Sequence, residues 1–258
     1  MRQSQSEAAV RVRKPKVNLL PVQAGVKKAS AALKAQAWQV YERLLETYGV
    51  LPLKPRRAPM HELISTMLSH RTTQRNEALA YDQMWERFGS WEAIRAAPLN
   101  ELIESIAPSN FAEVKAPNIQ EALRRIIAKR GEPSIDFLQD LPAEDGVRWL
   151  TALPGVGIKT ATLVLLFCFA KPVLPVDTHV HRVSQRLGLI GPRVNPTAAH
   201  PLLQALFPAD AVVLFNFHKH LLKHGQQICP WGMPHCERCM LTDLCDWFKA
   251  NHAPSATS

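Results

Sequence analysis

The chain is 258 residues long, 47% hydrophobic and 21% charged, with a formal net charge of +9 from 31 basic and 22 acidic side chains. This composition fits one or two globular domains with a real core, and it excludes collagen-like and low-complexity chains. The longest apolar run, 161–170, is too short to span a bilayer, and the basic N-terminus lacks the apolar stretch of a secretory signal. A cytoplasmic protein with no membrane partner is therefore expected, and the positive charge favours a polyanion, nucleic acid first.

Residues 1–30 hold seven basic side chains (Arg2, Arg11, Arg13, Lys14, Lys16, Lys27, Lys28) against the single acid Glu7. Six of the nine net charges thus sit in a tail, 1–29, that is poor in core-forming residues. Two readings stand: a disordered solubilising arm, or an arm that tethers the protein to DNA. A helical pattern then runs over 30–49 and stops at Gly49, before a Pro- and Arg-rich connector. From His61 the spacing predicts short helices at 61–69, 74–88, 90–96, 99–106, 115–129, 134–139, 144–152, 158–169, 177–187, 196–205, 210–223 and 240–248. Apolar positions recur at three and four, and no strand-hairpin signal appears, so the chain reads as all-α. Residues 251–258 read as a second disordered tail.

The stretch "EDGVRWLTALPGVGIKTATLVLLFCFA" reads as helix, short hairpin, helix. Gly155 and Gly157 permit positive φ and close approach by another backbone. With the second helix starting near Ile158, the N–H groups of Gly155, Val156, Gly157 and Ile158 are expected to point outward. That exposes a positive helix end suited to a phosphate. Lys159 falls on the first turn, where positive charge is unwelcome. Farther on, Asp177 in "PVDTH" can cap the next helix, with His179 and Arg182 on that helix as candidate phosphate contacts.

Four of the five cysteines crowd together as Cys229, Cys236, Cys239 and Cys245, a C-x6-C-x2-C-x5-C spacing. Outside an oxidising compartment such crowding asks for a metal rather than disulfides. Four thiolates suit Zn²⁺ or an iron–sulfur cluster, and spacing alone does not choose between them. Cys168, inside "LLFCFA", reads as a small core hydrophobe.

"LPGVGIKTATLVL", "VLPVDTHVHRV" and the cysteine spacing together resemble the endonuclease III family of DNA glycosylases, over roughly 60–247. The stretch from Ser134 to Ile190 is similar as well to the plant 5-methylcytosine glycosylases of the same family. The resemblance implies two helical domains with a DNA cleft between them. One is a six-helix barrel with the helix-hairpin-helix, over 53–171. The other, 30–52 plus 172–250, carries a [4Fe–4S] cluster. It implies a monomer acting on double-stranded DNA with damaged bases or abasic sites, in which Lys159 attacks C1′ with Asp177 assisting. Oxidised pyrimidines are the expected substrates. Departures are confined to recognition. Arg71 in "LSHRTTQ" stands where the family commonly has glutamine. "IAPSNFAEVKA" lacks the family's glycine, leaving Phe111 as the candidate wedge. "PWGMPH" lacks the basic residues often found in the first cluster loop. The adenine-glycosylase branch is disfavoured, because 64–73 holds no carboxylate. A monofunctional or mismatch glycosylase and a non-catalytic DNA-binding protein remain as alternatives.

Overall fold

A computed structural model describes residues 29–55 and 57–252; the N-terminal arm, Arg56 and 253–258 lie outside the described residues. Within them the chain is all-α, with twelve α-helices and no strand. No helix is long and apolar enough to cross a membrane.

Local signals set the helix ends. α1 (Ala31–Tyr48) starts where the Ser30 side chain accepts from the Leu33 N–H, and it buries Ala37, Val40, Tyr41 and Leu44, spaced as one face. α2 (Pro59–Leu68) opens on a proline, whose missing N–H would be unpaired there anyway. α3 (Gln74–Phe88) is capped by Thr73 and stopped by a left-handed Gly89. Short α4 (Trp91–Ala96) and α5 (Leu99–Ser105) lead into a 3₁₀ turn at 107–109.

α6 spans Ala112–Arg130, three residues longer at its start than the spacing predicted. Pro117 lies six residues into it, inside the helix. The predicted helix 134–139 is a 3₁₀ turn at 136–139. α7 (Ala143–Thr151), α8 (Ile158–Phe169), α9 (Thr178–Arg186) and α10 (Pro196–Gln204) follow within a residue of expectation, while α11 (Ala211–Gln227) runs past its expected end at 223. The last predicted helix, 240–248, is instead a 3₁₀ turn at 242–244 followed by α12 (Asp246–Asn251). Cys245 breaks it by adopting extended backbone.

These helices build two apolar cores. The first gathers α2 to α8 around residues such as Leu63, Ile64, Leu123, Ile126 and Leu165. The second joins α1 to α9, α10 and α11 through Val40, Leu44, Val183, Leu203 and Phe217. Each fully buried side chain of this kind stabilises the fold by roughly 1.5–3 kcal/mol. The chain enters the second core with α1, builds the whole of the first, and returns at Leu174. Phe215 of α11 reaches across to stack edge-on against Phe167, with ring centroids 5.1 Å apart.

Candidate active site

An open cleft of about 920 Å³ runs between the two cores, lined among others by Arg71, Phe111, Gly155, Lys159, Asp177 and His179. Two helix N-termini meet in it. α8 is capped by Gly157 in extended backbone, which makes Lys159 the second helical residue. Burial in the cleft wall pulls the Lys159 ammonium below the ordinary lysine range, and the carboxylates of Asp177 and Glu62 act in the opposite sense. Burial thus makes the amine easier to deprotonate than a solvated lysine, but does not isolate it from negative charge.

Asp177 caps α9. Its Oδ1 accepts from the His179 and Val180 N–H groups, both at 2.8 Å, which fixes the carboxylate's direction. Two buried histidines steady the segment before it. His200 Nδ1 bonds the Leu174 carbonyl and His218 Nδ1 the Pro175 carbonyl, each at 2.9 Å. His181, in contrast, is used structurally, on the Val194 carbonyl at 2.8 Å.

The hairpin before α8 turns at Gly155, whose φ is 73°. A Cβ there would lie 3.0 Å from Asn118 Cβ and 3.1 Å from Met67 Cε, so glycine is required twice over. Gly157 differs from expectation, because its φ is an ordinary −90° and nothing lies within 4 Å of where a Cβ would sit. The outward row of N–H groups is also interrupted. Val156 donates to the Leu153 carbonyl at 3.3 Å and buries its side chain in the first core.

Arg182 corrects a second expectation. It is only 6% exposed, and its guanidinium donates to the Gly225 carbonyl at 2.8 Å and to the Cys229 carbonyl at 3.0 and 3.1 Å. A third contact, at 3.1 Å, goes to His179 Nδ1. With Nε and Nη2 spent on buried carbonyls, Arg182 ties α9 to α11 and to the first cysteine. His179 keeps its place on the cleft wall.

Two residues that pattern reading missed tie together the loops carrying Arg71 and Phe111. Lys115, on the first turn of α6, is 7% exposed and donates to the carbonyls of Leu68, His70 and Ser109 at 2.7, 2.8 and 2.6 Å. Asn110 Nδ2 bonds the Arg71 carbonyl at 3.2 Å. Neither residue stands out by periodicity. A lysine on a helix face otherwise filled by Ala112, Ala116 and Ile119 is the one hint.

Away from the cleft, all four clustered cysteines line a single small cavity. N–H donors face their sulfurs: Arg186 Nη1 lies 3.0 Å from Cys229 Sγ, Leu241 N 3.4 Å from Cys239 Sγ and Phe248 N 3.4 Å from Cys245 Sγ. Donors aimed at sulfur favour thiolates and are the usual surroundings of a thiolate-bound centre. Burial and the neighbouring cysteines push the Cys239 thiol up to about 11, so a stable set of thiolates calls for cationic iron or zinc. Among the described residues no group of three or more His, Cys, Asp or Glu is arranged to hold a single metal ion.

Comparison with known proteins agrees with this geometry. Residues 64–209 match the family described as HhH-GPD superfamily base excision DNA repair protein. The chain is 35% identical over 191 residues to endonuclease III of Thermotoga maritima, covering 74% of this chain and 84% of that one. It is 28% identical over 178 residues to the DNA glycosylase/AP lyase ROS1 of Arabidopsis thaliana, covering 63% of this chain and 13% of that protein. Among solved structures, a non-covalent endonuclease III–DNA complex superposes with a TM-score of 0.72 at 26% identity, over 85% of this chain and 98% of that one.

Proposed function

The chain belongs to the HhH-GPD superfamily of base excision DNA repair proteins, on its endonuclease III branch, and from that premise we propose a bifunctional DNA glycosylase and abasic-site lyase. One observation carries the reading: Lys159, its ammonium disfavoured by burial, shares a cleft with a carboxylate whose aim is fixed by capping.

In the proposed reaction the neutral Lys159 amine attacks C1′ of the sugar. The N–C1′ bond forms as the bond to the base breaks, and the base departs with that electron pair and gains a proton. Asp177 accepts the proton lost by the attacking amine, or balances positive charge as it develops on the sugar. Opening of the sugar ring gives an iminium, which acidifies the C2′ proton. Its removal expels the 3′ phosphate by β-elimination, and hydrolysis returns the free lysine.

A base can reach Lys159 only by leaving the duplex, and the gap it leaves must be filled. Arg71 and Phe111, exposed on two loops beside the lysine, are suited to that task. The hairpin at Gly155 and the α9 N-terminus beside His179 would take the backbone phosphates. Oxidised pyrimidines in double-stranded DNA remain the proposed substrates. Cys229, Cys236, Cys239 and Cys245 would hold a [4Fe–4S] cluster, a reading supported by the four cysteines lining one cavity and by N–H donors that face three of their sulfurs. Bound there, the cluster supplies a covalent cross-link of the segment and a redox-active centre.

Borohydride reduction on a duplex with one abasic site tests the mechanism. The wild type should form a covalent adduct and Lys159→Ala none, while Asp177→Asn should slow adduct formation by about 10²–10⁴-fold. Strand cleavage without an adduct, or an adduct surviving Lys159→Ala, would overturn the lysine mechanism. Tight binding to abasic duplex without either would leave a non-catalytic DNA-binding protein.

A further inference from the structure

We propose that Lys115 is a positioning residue that locks the loops carrying Arg71 and Phe111 into a single unit for insertion into DNA. The inference deepens the proposed glycosylase reading and rests on its assignment of those two side chains to the DNA.

The two loops are strained in the same way. Among the described residues four non-glycine residues have positive φ, and three of them lie here: Arg71 at 53°, Asn110 at 60° and Phe111 at 52°. Left-handed backbone costs an L-residue roughly 1–2 kcal/mol, and it persists only where the surroundings over-determine it. At the centre of these surroundings is one ammonium group. Lys115 Nζ donates to Leu68 O and His70 O on the Arg71 side, and to Ser109 O on the Phe111 side. All three ammonium donors are used, each on a backbone carbonyl.

An ammonium that is 7% exposed is expensive to bury, and a lysine serving only to cap a helix would keep its head in water. Burial lowers this one to about 8, which still leaves it charged near neutral pH. A second tie runs above it, from Asn110 Nδ2 to the Arg71 carbonyl at 3.2 Å. Beyond both ties the exposed ends meet, with the Arg71 guanidinium 5.7 Å from the centre of the Phe111 ring. Arg71 and Phe111 thus stand on one pinned platform, and disturbing either loop should disturb both.

The test is a double-mutant cycle on affinity for a duplex containing a tetrahydrofuran abasic analogue, which cannot react with Lys159. Arg71→Ala and Phe111→Ala are measured singly and together, first with Lys115 present and then in Lys115→Met. With Lys115 present the two losses should be strongly non-additive. Lys115→Met should weaken binding by about tenfold and abolish that coupling. Simple loss of stability would lower affinity but leave the coupling unchanged. Additive losses in the wild type, or coupling that survives Lys115→Met, would overturn the proposal.

Should Lys115→Met melt before it can be titrated, Lys115→Gln keeps two of the three N–H donors without the charge and serves in its place. Amide hydrogen exchange on the wild type gives a third readout. Residues 69–72 and 109–111 should lose protection together, and independent opening of the two loops would overturn the idea. Because the analogue reports binding alone, a failed borohydride trap with intact coupling would remove the lysine chemistry and leave the role of Lys115 standing.

Discussion

Asp177 gives one carboxylate two employments, capping α9 and facing Lys159, and the same arrangement extends to the buried histidines behind it. His200 is 3% exposed. Burial, against the opposing hydrogen bond to Leu174, pushes it down to about 4 from an ordinary 6.5. Between those values the unfolded chain binds a proton that the folded protein refuses. The stability from neutral His200 is therefore complete above pH 6.5 and is lost as pH falls towards 4, by up to ~3 kcal/mol. Thermal melts should show a lower midpoint near pH 5 than at neutrality, and His200→Gln should flatten that dependence. The helix-end positions of Lys159 and Asp177 were legible because glycine, proline and a capping residue locate helix starts in any chain. Arg182 was not: on paper it is an arginine on a polar helix face. It is buried only because Gly225 lets α11 approach α9, where a Cβ would come within 2.8 Å of His179 Cβ.

The α7–α8 hairpin separates two glycines that look alike in sequence. Gly155→Ala meets both positive φ and two close neighbours, so it should destabilise the protein by about 1–2 kcal/mol, read as a drop in melting midpoint. Gly157→Ala meets neither and should leave the melt nearly unchanged, yet it should weaken duplex binding if a phosphate backbone passes there. An unaltered affinity for Gly157→Ala would remove the hairpin from the DNA contact. Most helices were readable because their apolar residues repeat on one face and their caps are conventional. The failures occur where another demand overrides local pattern. α6 begins at Ala112, directly after the positive-φ Phe111, and helix 240–248 is broken where Cys245 adopts extended backbone.

The two cores are joined by α11 and by the return of the chain at Leu174, so the cleft has walls from both. The cysteine segment packs onto the second core through α1. Gln36 Nε2 bonds the Leu187 and Leu244 carbonyls at 2.8 and 3.1 Å, and Arg43 pairs with Asp243 while bonding the Met240 carbonyl at 3.1 Å. Purified protein should contain iron and acid-labile sulfide in equal amounts and show the broad visible absorption of a [4Fe–4S] centre. Zinc alone would overturn that assignment, and Cys239→Ser should lower both iron content and melting midpoint. Cysteine spacing made the clustering of the four thiols legible, but not the Arg186 donor, which comes from α9 and depends on how a distant segment packs.

The buried guanidinium of Arg182 has a bearing on damage to the repair protein itself. It grips the carbonyl of Cys229 with the same fork that holds α9, one turn from the residues Asp177 caps. Corrosion of a cluster at those cysteines would loosen a tether before it altered any atom in the cleft. An oxidant that attacks DNA and such a cluster alike would then raise the number of lesions while loosening the anchor of the helix that Asp177 caps.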